Sequence, residues 1–135
     1  MATDFRNLRV WEESMALAEA VYKLAGRFPI DARYGLVAQI ERAVVSVPAR
    51  IAEGNACAST RDDLGLLSMA KCSLAEVQTP LLPAIGLGFV ASTVVDPALD
   101  KARSVSPRLQ TLRKALSHMV PRPDHGSLPM LRFPL

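Results

Sequence analysis

Apolar side chains recur at alternating three- and four-residue steps along most of the chain, which is the spacing of one face of a helix. The pattern predicts four helices, over about 5–25, 34–54, 59–86 and 96–120. No stretch of useful length alternates between apolar and polar residues, so no strand is predicted. Amphipathic helices joined by short connections are typical of an antiparallel, up-and-down four-helix bundle. The predicted fold class is therefore all-α.

One apolar row in each predicted helix is expected to face the core. In chain order these rows are Leu8, Trp11, Met15, Ala18, Tyr22 and Ala25; Leu36, Ile40, Ala43, Val47 and Ile51; Leu67, Ala70, Leu74, Val77, Leu81 and Ala84; and Ala98, Ala102, Val105, Leu109, Leu112, Leu116 and Met119. The first helix carries a second row beside the first, made of Val10, Leu17, Val21, Leu24 and Phe28. The first helix must therefore bury an apolar face wider than a single row of side chains. Because Trp11 and Tyr22 fall on the first row, we interpret them as packing anchors rather than base-stacking platforms.

Prolines inside the predicted helices predict kinks, because proline lacks a backbone donor and clashes with the carbonyl four residues earlier. Pro48 is expected to bend the second helix, with Ser46 or a neighbouring helix relieving the freed carbonyl. Pro80 and Pro83 are expected to bend or end the regular part of the third helix. Pro107 is expected to kink the fourth helix or to divide it near residue 106.

Residues that cap helices support the predicted boundaries. Gly26 is expected to end the first helix, and Asp31 to cap the second. Ser59 or Thr60 is expected to cap the third, and the pair Asp96–Pro97 resembles a start signal for the fourth. The chain thus divides into a bundle at 1–120 and a proline-rich tail at 121–135, which is either disordered or laid along a neighbour in extended form.

Charge and hydropathy indicate a cytoplasmic protein. Acidic and basic residues interrupt the N-terminus, so no secretory signal is expected. The longest apolar stretch, at 84–95, is too short to span a bilayer, and no membrane partner is predicted. Cys57 and Cys72 follow no spacing pattern, and two reduced thiols are expected.

The composition also predicts that the chain assembles with copies of itself. Only 21% of the 135 residues are charged, although 50% are hydrophobic. The mean hydropathy is positive, at +0.18. A four-helix bundle of this composition would leave apolar surface patches larger than soluble monomers usually expose. Contact between subunits would bury these apolar patches. Oligomers of identical subunits commonly have closed cyclic symmetry.

The sequence carries no recognisable catalytic or metal-binding pattern. His118 and His125 are the only histidines, and neither lies four residues from another ligand. The glutamates lack the histidine three residues later that di-iron bundles use. Gly86 and Gly88 lack the lysine and hydroxyl of a phosphate loop. We therefore predict no enzyme activity, no metal and no cofactor.

A polar seam on the second helix is the first candidate site. It consists of Gln39, Arg42, Ser46, Arg50 and Glu53, which share a helix face. One interpretation is a strip of ion pairs, such as Arg50 with Glu53. The others are a contact strip for a second subunit or for phosphate, since arginine suits both protein interfaces and phosphates.

Basic residues after position 100 form the second candidate site. From Lys101 onward the chain has seven lysines and arginines and one acid. The candidate contacts are Lys101, Arg103, Arg108 and Lys114. Lys101 and Arg108 share one flank, whereas Arg103 and Lys114 lie almost opposite the core row. This diffuse arrangement predicts either an ordinary solvated helix face or weak, salt-sensitive binding of nucleic acid.

An ordered set of short motifs then suggests a family. In chain order they are Phe5-Arg-Asn-Leu-Arg-Val-Trp11, Val21-Tyr-Lys-Leu24, Phe28-Pro29, Tyr34-Gly-Leu36, Gln39-Ile40, Arg42-Ala43, Val45-Ser-Val-Pro48, Ile51-Ala-Glu-Gly54 and Ser73-Leu-Ala-Glu76. Over about 5–89 the chain resembles the bacterial four-helix-bundle family first noticed within intervening sequences of large-subunit ribosomal RNA genes. It is also similar to the accessory variability protein of diversity-generating retroelements.

The resemblance implies an all-helical protomer that assembles into a homopentameric barrel. In the retroelement branch it further implies binding of RNA and of a reverse transcriptase through basic surfaces. The chain departs from the family at Glu41 and Cys57, where arginine is usual, and at Arg50, where asparagine is usual. Two hypotheses follow: a non-enzymatic oligomeric interaction scaffold, and a nucleic-acid-binding accessory protein.

Overall fold

Four long helices account for most of the chain in the computed structural model, which describes residues 4–121. They are α1 at Arg9–Ala25, α2 at Ala38–Ala56, α3 at Thr60–Gly86 and α4 at Ser92–Ser117. No strand occurs among the described residues. None of the helices in this part of the chain has an apolar stretch long enough to cross a membrane. The predicted all-α class is confirmed.

The helices pack in a ring, with α1 against α2 and α4, and α3 against α2 and α4. Three residues join α2 to α3 and five join α3 to α4. Because such short connections join neighbouring helices, those helices run antiparallel. At one end of the bundle the rings of Phe28 and Phe89 lie 6.5 Å apart and link the two connections found there. The predicted tail after Pro121 lies outside the described residues.

The predicted core rows of α2 and α3 are confirmed. Ile40, Val44, Val47 and Ile51 on α2 are buried, and so are all six residues of the α3 row. On α4, the row from Ala98 to Leu109 is buried and Leu112 and Leu116 are partly buried. Met119 lies beyond the helix and is exposed, so its assignment to the core was wrong.

The predicted core row of α1 was wrong at Met15 and Tyr22, which are exposed, whereas Ala18 and Ala25 are buried as predicted. The buried residues are mostly those of the second row, namely Val10, Leu17, Val21 and Leu24, with Ser14 among them. Trp11 is only partly buried, beside Phe5, and Tyr22 is 46% exposed. Ser14 interrupts this apolar row with a hydroxyl, between Val10 and Leu17. In the structure the Ser14 Oγ donates to the Trp11 carbonyl at 2.8 Å, which satisfies the buried hydroxyl.

The prolines do not interrupt the helices. Helices α2, α3 and α4 run unbroken through Pro48, Pro80 and Pro107. The predicted division near residue 106 is therefore wrong. Ser46 donates to the Ala43 carbonyl at 2.8 Å and does not relieve the carbonyl of Val44, which Pro48 leaves without its usual donor.

Two predicted helix starts differ from the structure. Asp31 does not cap α2, because a 3-10 turn at Ile30–Ala32 and a π-helical turn at Arg33–Val37 precede that helix. Helix α4 begins at Ser92 rather than at Asp96. The earlier start brings Val95 into the core, where it is fully buried. Burial of an apolar side chain outweighs the single backbone hydrogen bond that Pro97 removes.

The corner between α2 and α3 agrees with the predicted cap. The Ser59 Oγ accepts the backbone N–H of Asp62 at 3.3 Å, as the capping motif requires. Gly54, near the end of α2, is buried against the carboxylate of Asp63. Burial raises the pKa of Asp63 above its ordinary value of 3.8. This close approach fixes how α2 passes to α3.

Asp63→Asn is expected to raise the melting temperature at neutral pH, because it removes a carboxylate that burial penalises. The raised pKa means that the folded chain binds this proton more tightly than the unfolded chain. The stabilisation from protonation is therefore lost as pH rises from about 3.8 through the raised value. Thermal melts between about pH 3 and 7 should therefore show that the melting temperature of the variant rises relative to that of the unmodified protein as pH increases. Asp62→Asn, at an exposed position in the same turn, is the control. A lower melting temperature for Asp63→Asn at neutral pH would contradict the assignment.

Candidate functional site

The polar seam of α2 forms one wall of a groove with α3, which we call the α2–α3 groove. Its volume is about 700 Å³. The α2 wall contains four of the five seam residues, Gln39, Arg42, Ser46 and Arg50, whereas Glu53 does not line the groove. The α3 wall contributes Ser68, Met69, Cys72, Ser73 and Glu76. The structure therefore brings the predicted seam together with a second polar wall.

The charges in the α2–α3 groove are unequally partnered. The Arg50 guanidinium pairs with the Glu53 carboxylate at 2.9 Å, as the ion-pair interpretation predicts. Arg42 is exposed, and no carboxylate among residues 4–121 lies within ion-pairing distance of it. Ser46 and Ser68 already donate to carbonyls of their own helices. Arg42 is thus a charged donor of this groove that no described carboxylate engages.

The basic residues of α4 do not join this groove or one another. Lys101 lines a small hollow with Glu13 of α1, whereas Lys114 lines another with Leu64 of α3. Arg103 is exposed and pairs with Asp100 at 3.3 Å. Lys101, Arg103 and Lys114 therefore lie in different surroundings along α4.

Arg108 joins α4 to α1 instead of facing solvent alone. Its Nε lies 2.6 Å from the Glu13 Oε2, and the Arg9 Nε lies 3.2 Å from the other oxygen of Glu13. The Arg108 Nε–H is not aligned with the Glu13 Oε2, because neither of these two buried atoms makes a hydrogen bond of good geometry. The contact is therefore an ion pair that ties two helices together.

Two basic residues outside the predicted set lie beside Lys114. Lys71 of α3 donates to the Gln110 side chain at 3.2 Å, and Arg113 lines the same hollow as Lys114. The Arg113 Nε is buried without a hydrogen-bond partner among the described residues. Lys71 lies on a different helix, so only the packing of α3 on α4 reveals this grouping. The α3 wall of the groove, by contrast, left a signal in the four-residue steps of Ser68, Cys72 and Glu76.

The α2–α3 groove offers hydroxyl, amide and guanidinium donors, together with the Cys72 thiol and the Glu76 carboxylate. Within residues 4–121, no group of three or more histidine, cysteine, aspartate or glutamate side chains could hold a metal ion. His118 is the C-cap residue that directly follows α4, and His125 lies outside the described residues.

Comparison with known proteins agrees with the ordered motifs and with the fold. No curated protein matches the chain. The family described as "23S rRNA-intervening sequence protein" matches over residues 6–111. The match extends beyond the motifs near residue 89 and covers α1 to α3 and most of α4. Since it spans more than half of the sequence, the chain belongs to the 23S rRNA-intervening sequence protein family.

Proposed function

We propose that the protein is a non-enzymatic, cytoplasmic interaction scaffold that assembles into a homopentamer. The observation that supports assembly is an apolar flank on α1 that no other part of the described chain covers. Met15 is 37% exposed and Tyr22 is 46% exposed, two helical turns apart. This spacing places both side chains on one side of α1.

The position of this flank in the bundle favours contact with a second copy. Glu13, Ala16 and Ala20 line hollows shared with α4, so they mark the side of α1 that faces α4. At 100° per residue, Met15 and Tyr22 lie on the other side, towards α2. Val45 of α2 is 45% exposed and lies on the side of that helix away from the α2–α3 groove. We call Met15, Tyr22 and Val45 the apolar flank.

Light scattering coupled to gel filtration tests this proposal with the unmodified chain. The expected mass is about 73 kDa, which is five times the 14.6 kDa protomer. The number five rests on the family resemblance, whereas the apolar flank supports assembly of any order. A dimer or tetramer would retain the assembly and reject the pentamer. A stable monomer at about micromolar concentration would reject both.

A second candidate function is binding of RNA, alone or together with a reverse transcriptase. The observation that favours it is Arg42, an exposed guanidinium without a carboxylate partner in a groove that also holds Arg50. The name of the family adds support, since it refers to an intervening sequence of ribosomal RNA. Arginine binds phosphate through paired hydrogen bonds, and an unpaired arginine is available for this contact.

Titration with a structured RNA tests the second candidate. We expect weak binding that falls by orders of magnitude between about 50 and 200 mM salt, because each phosphate contact releases counterions. Arg42→Ala should weaken binding more than Arg103→Ala, since Arg103 already pairs with Asp100. Lys23→Ala, at an exposed position on α1, is the control. An absence of binding at the lower salt concentration would exclude this function for the isolated protein.

A further inference from the structure

An apolar groove between the start of α1 and the second half of α4 is separate from the surfaces described above. We call it the α1–α4 groove. Its volume is about 610 Å³. Leu8 and Val10 form one wall, and Pro107, Leu112 and Ala115 form the other. Its surface is therefore mainly aliphatic.

Most of the polar groups around this groove are already engaged within the protein, although no hydrogen bond among the described residues involves the exposed Ser104 hydroxyl. Arg108 is paired with Glu13 at 2.6 Å. The Thr111 hydroxyl donates to the Pro107 carbonyl at 3.0 Å. A polar ligand would therefore find few free hydrogen-bond partners in this groove, whereas an apolar side chain could enter it without giving up a hydrogen bond to water. The chemistry of the groove fits an apolar segment.

The sequence supplies such a segment close to the groove. The structure describes the chain as far as Pro121, four residues after α4 ends at Ser117, and 14 residues follow in the sequence. This segment carries the apolar residues Leu128, Met130, Leu131, Phe133 and Leu135. Its only charged residues are Arg122, Asp124 and Arg132. Its composition therefore matches the surface of the groove.

The segment is also long enough to reach the groove. From Ala115 back to Pro107 the groove follows α4 for about 12 Å, at 1.5 Å per residue. An extended chain covers that distance with about four residues, at about 3.3 Å each. Ten residues, 118–127, precede the apolar part of the segment and can reverse the direction of the chain. Pro129 and Pro134 restrict the backbone torsion of the segment, which lowers the entropy lost on binding in extended form.

We propose that residues 122–135 bind in the α1–α4 groove of their own chain, with Leu131 and Phe133 against Leu8 and Leu112. The tail is then a built-in ligand of the bundle, and it covers apolar surface that assembly through the apolar flank leaves open. This inference does not depend on the oligomeric state or on RNA binding.

Limited trypsin digestion of the full chain tests the proposal. Arg122 precedes proline and resists trypsin, so Arg132 is the site within the segment, and its cleavage releases Phe133-Pro134-Leu135. If the tail binds in the groove, trypsin can cleave the bond after Arg132 only while the tail is out of the groove. Ala115→Glu places a charge in the groove at an exposed position, where the fold is retained. We expect cleavage at Arg132 to become faster by about tenfold or more in this variant, as protection tracks the bound population.

The matched control is Ala49→Glu, which makes the same change at an exposed position of α2. It should leave the cleavage rate unchanged. Equal rates in the unmodified protein and both variants would overturn the proposal. Nuclear Overhauser contacts from the Phe133 ring to the Leu8 and Leu112 methyl groups should appear in the full chain. In a mixture of two differently labelled chains, contacts that join labels on different chains would assign the groove to a neighbour's tail and contradict binding within one chain.

Discussion

Gly54→Ala is expected to lower the free energy of unfolding by about 1–3 kcal/mol, as overpacking of a filled site does. A Cβ at Gly54 would overlap the Asp63 carboxylate oxygen and lie 3.3 Å from its Cγ. The backbone Cα of Asp63 is 3.4 Å from the same point, which is close to ordinary van der Waals contact, so the Asp63 side chain is the group that must move. Chemical denaturation of the two proteins measures the difference.

Gly65→Ala provides the matched control. Gly65 lies inside α3 at an exposed position, and nothing stands within 4 Å of the place where its Cβ would be. Alanine should therefore stabilise this helix by about 0.5–1 kcal/mol through propensity alone. If the Asp63 side chain is the obstacle, the penalty of Gly54→Ala should shrink in an Asp63→Ala background. A neutral or stabilising Gly54→Ala would show that the corner is not tightly packed.

The double variant Met15→Glu, Tyr22→Glu is expected to reduce the assembly to a monomer of 14.6 kDa. On a solvent-exposed flank two glutamates are tolerated, so the helical content and the melting behaviour of the protomer should persist. Between subunits they would bury unpaired charge, which costs far more than the apolar contacts contribute. Light scattering coupled to gel filtration gives the mass directly.

Met69→Glu separates this effect from a general response to added charge. Met69 is exposed to a similar extent, but it lines the α2–α3 groove rather than the apolar flank. Its replacement should leave the mass of the assembly unchanged. If the flank variant keeps the mass of the unmodified protein, the subunit contact lies elsewhere, and loss of assembly in Met69→Glu would point to the groove.

Much of the candidate site could be predicted from local spacing, because the seam residues Gln39, Arg42, Ser46 and Arg50 lie on one helix. The partner wall on α3 could not be assigned to them, since nothing local indicates which flank of α3 turns towards α2. Local sequence could not identify the partner of Arg108 either. Its charge suggested a nucleic-acid contact, whereas its pairing with Glu13 depends on how α4 packs against α1.

Local sequence was sufficient for the four helices, for the core rows of α2 and α3 and for the Ser59 cap, because apolar periodicity and capping depend on residues within a few turns. Only the tertiary structure decided which of the two apolar rows of α1 faces the core, and that α4 starts at Ser92 rather than Asp96. Both choices depend on the total apolar surface buried against distant helices. The free energy from burying this surface outweighs two unfavourable local features. One is the buried Ser14 hydroxyl, which is bonded to a carbonyl of its own helix, and the other is the continuation of α4 through Pro97.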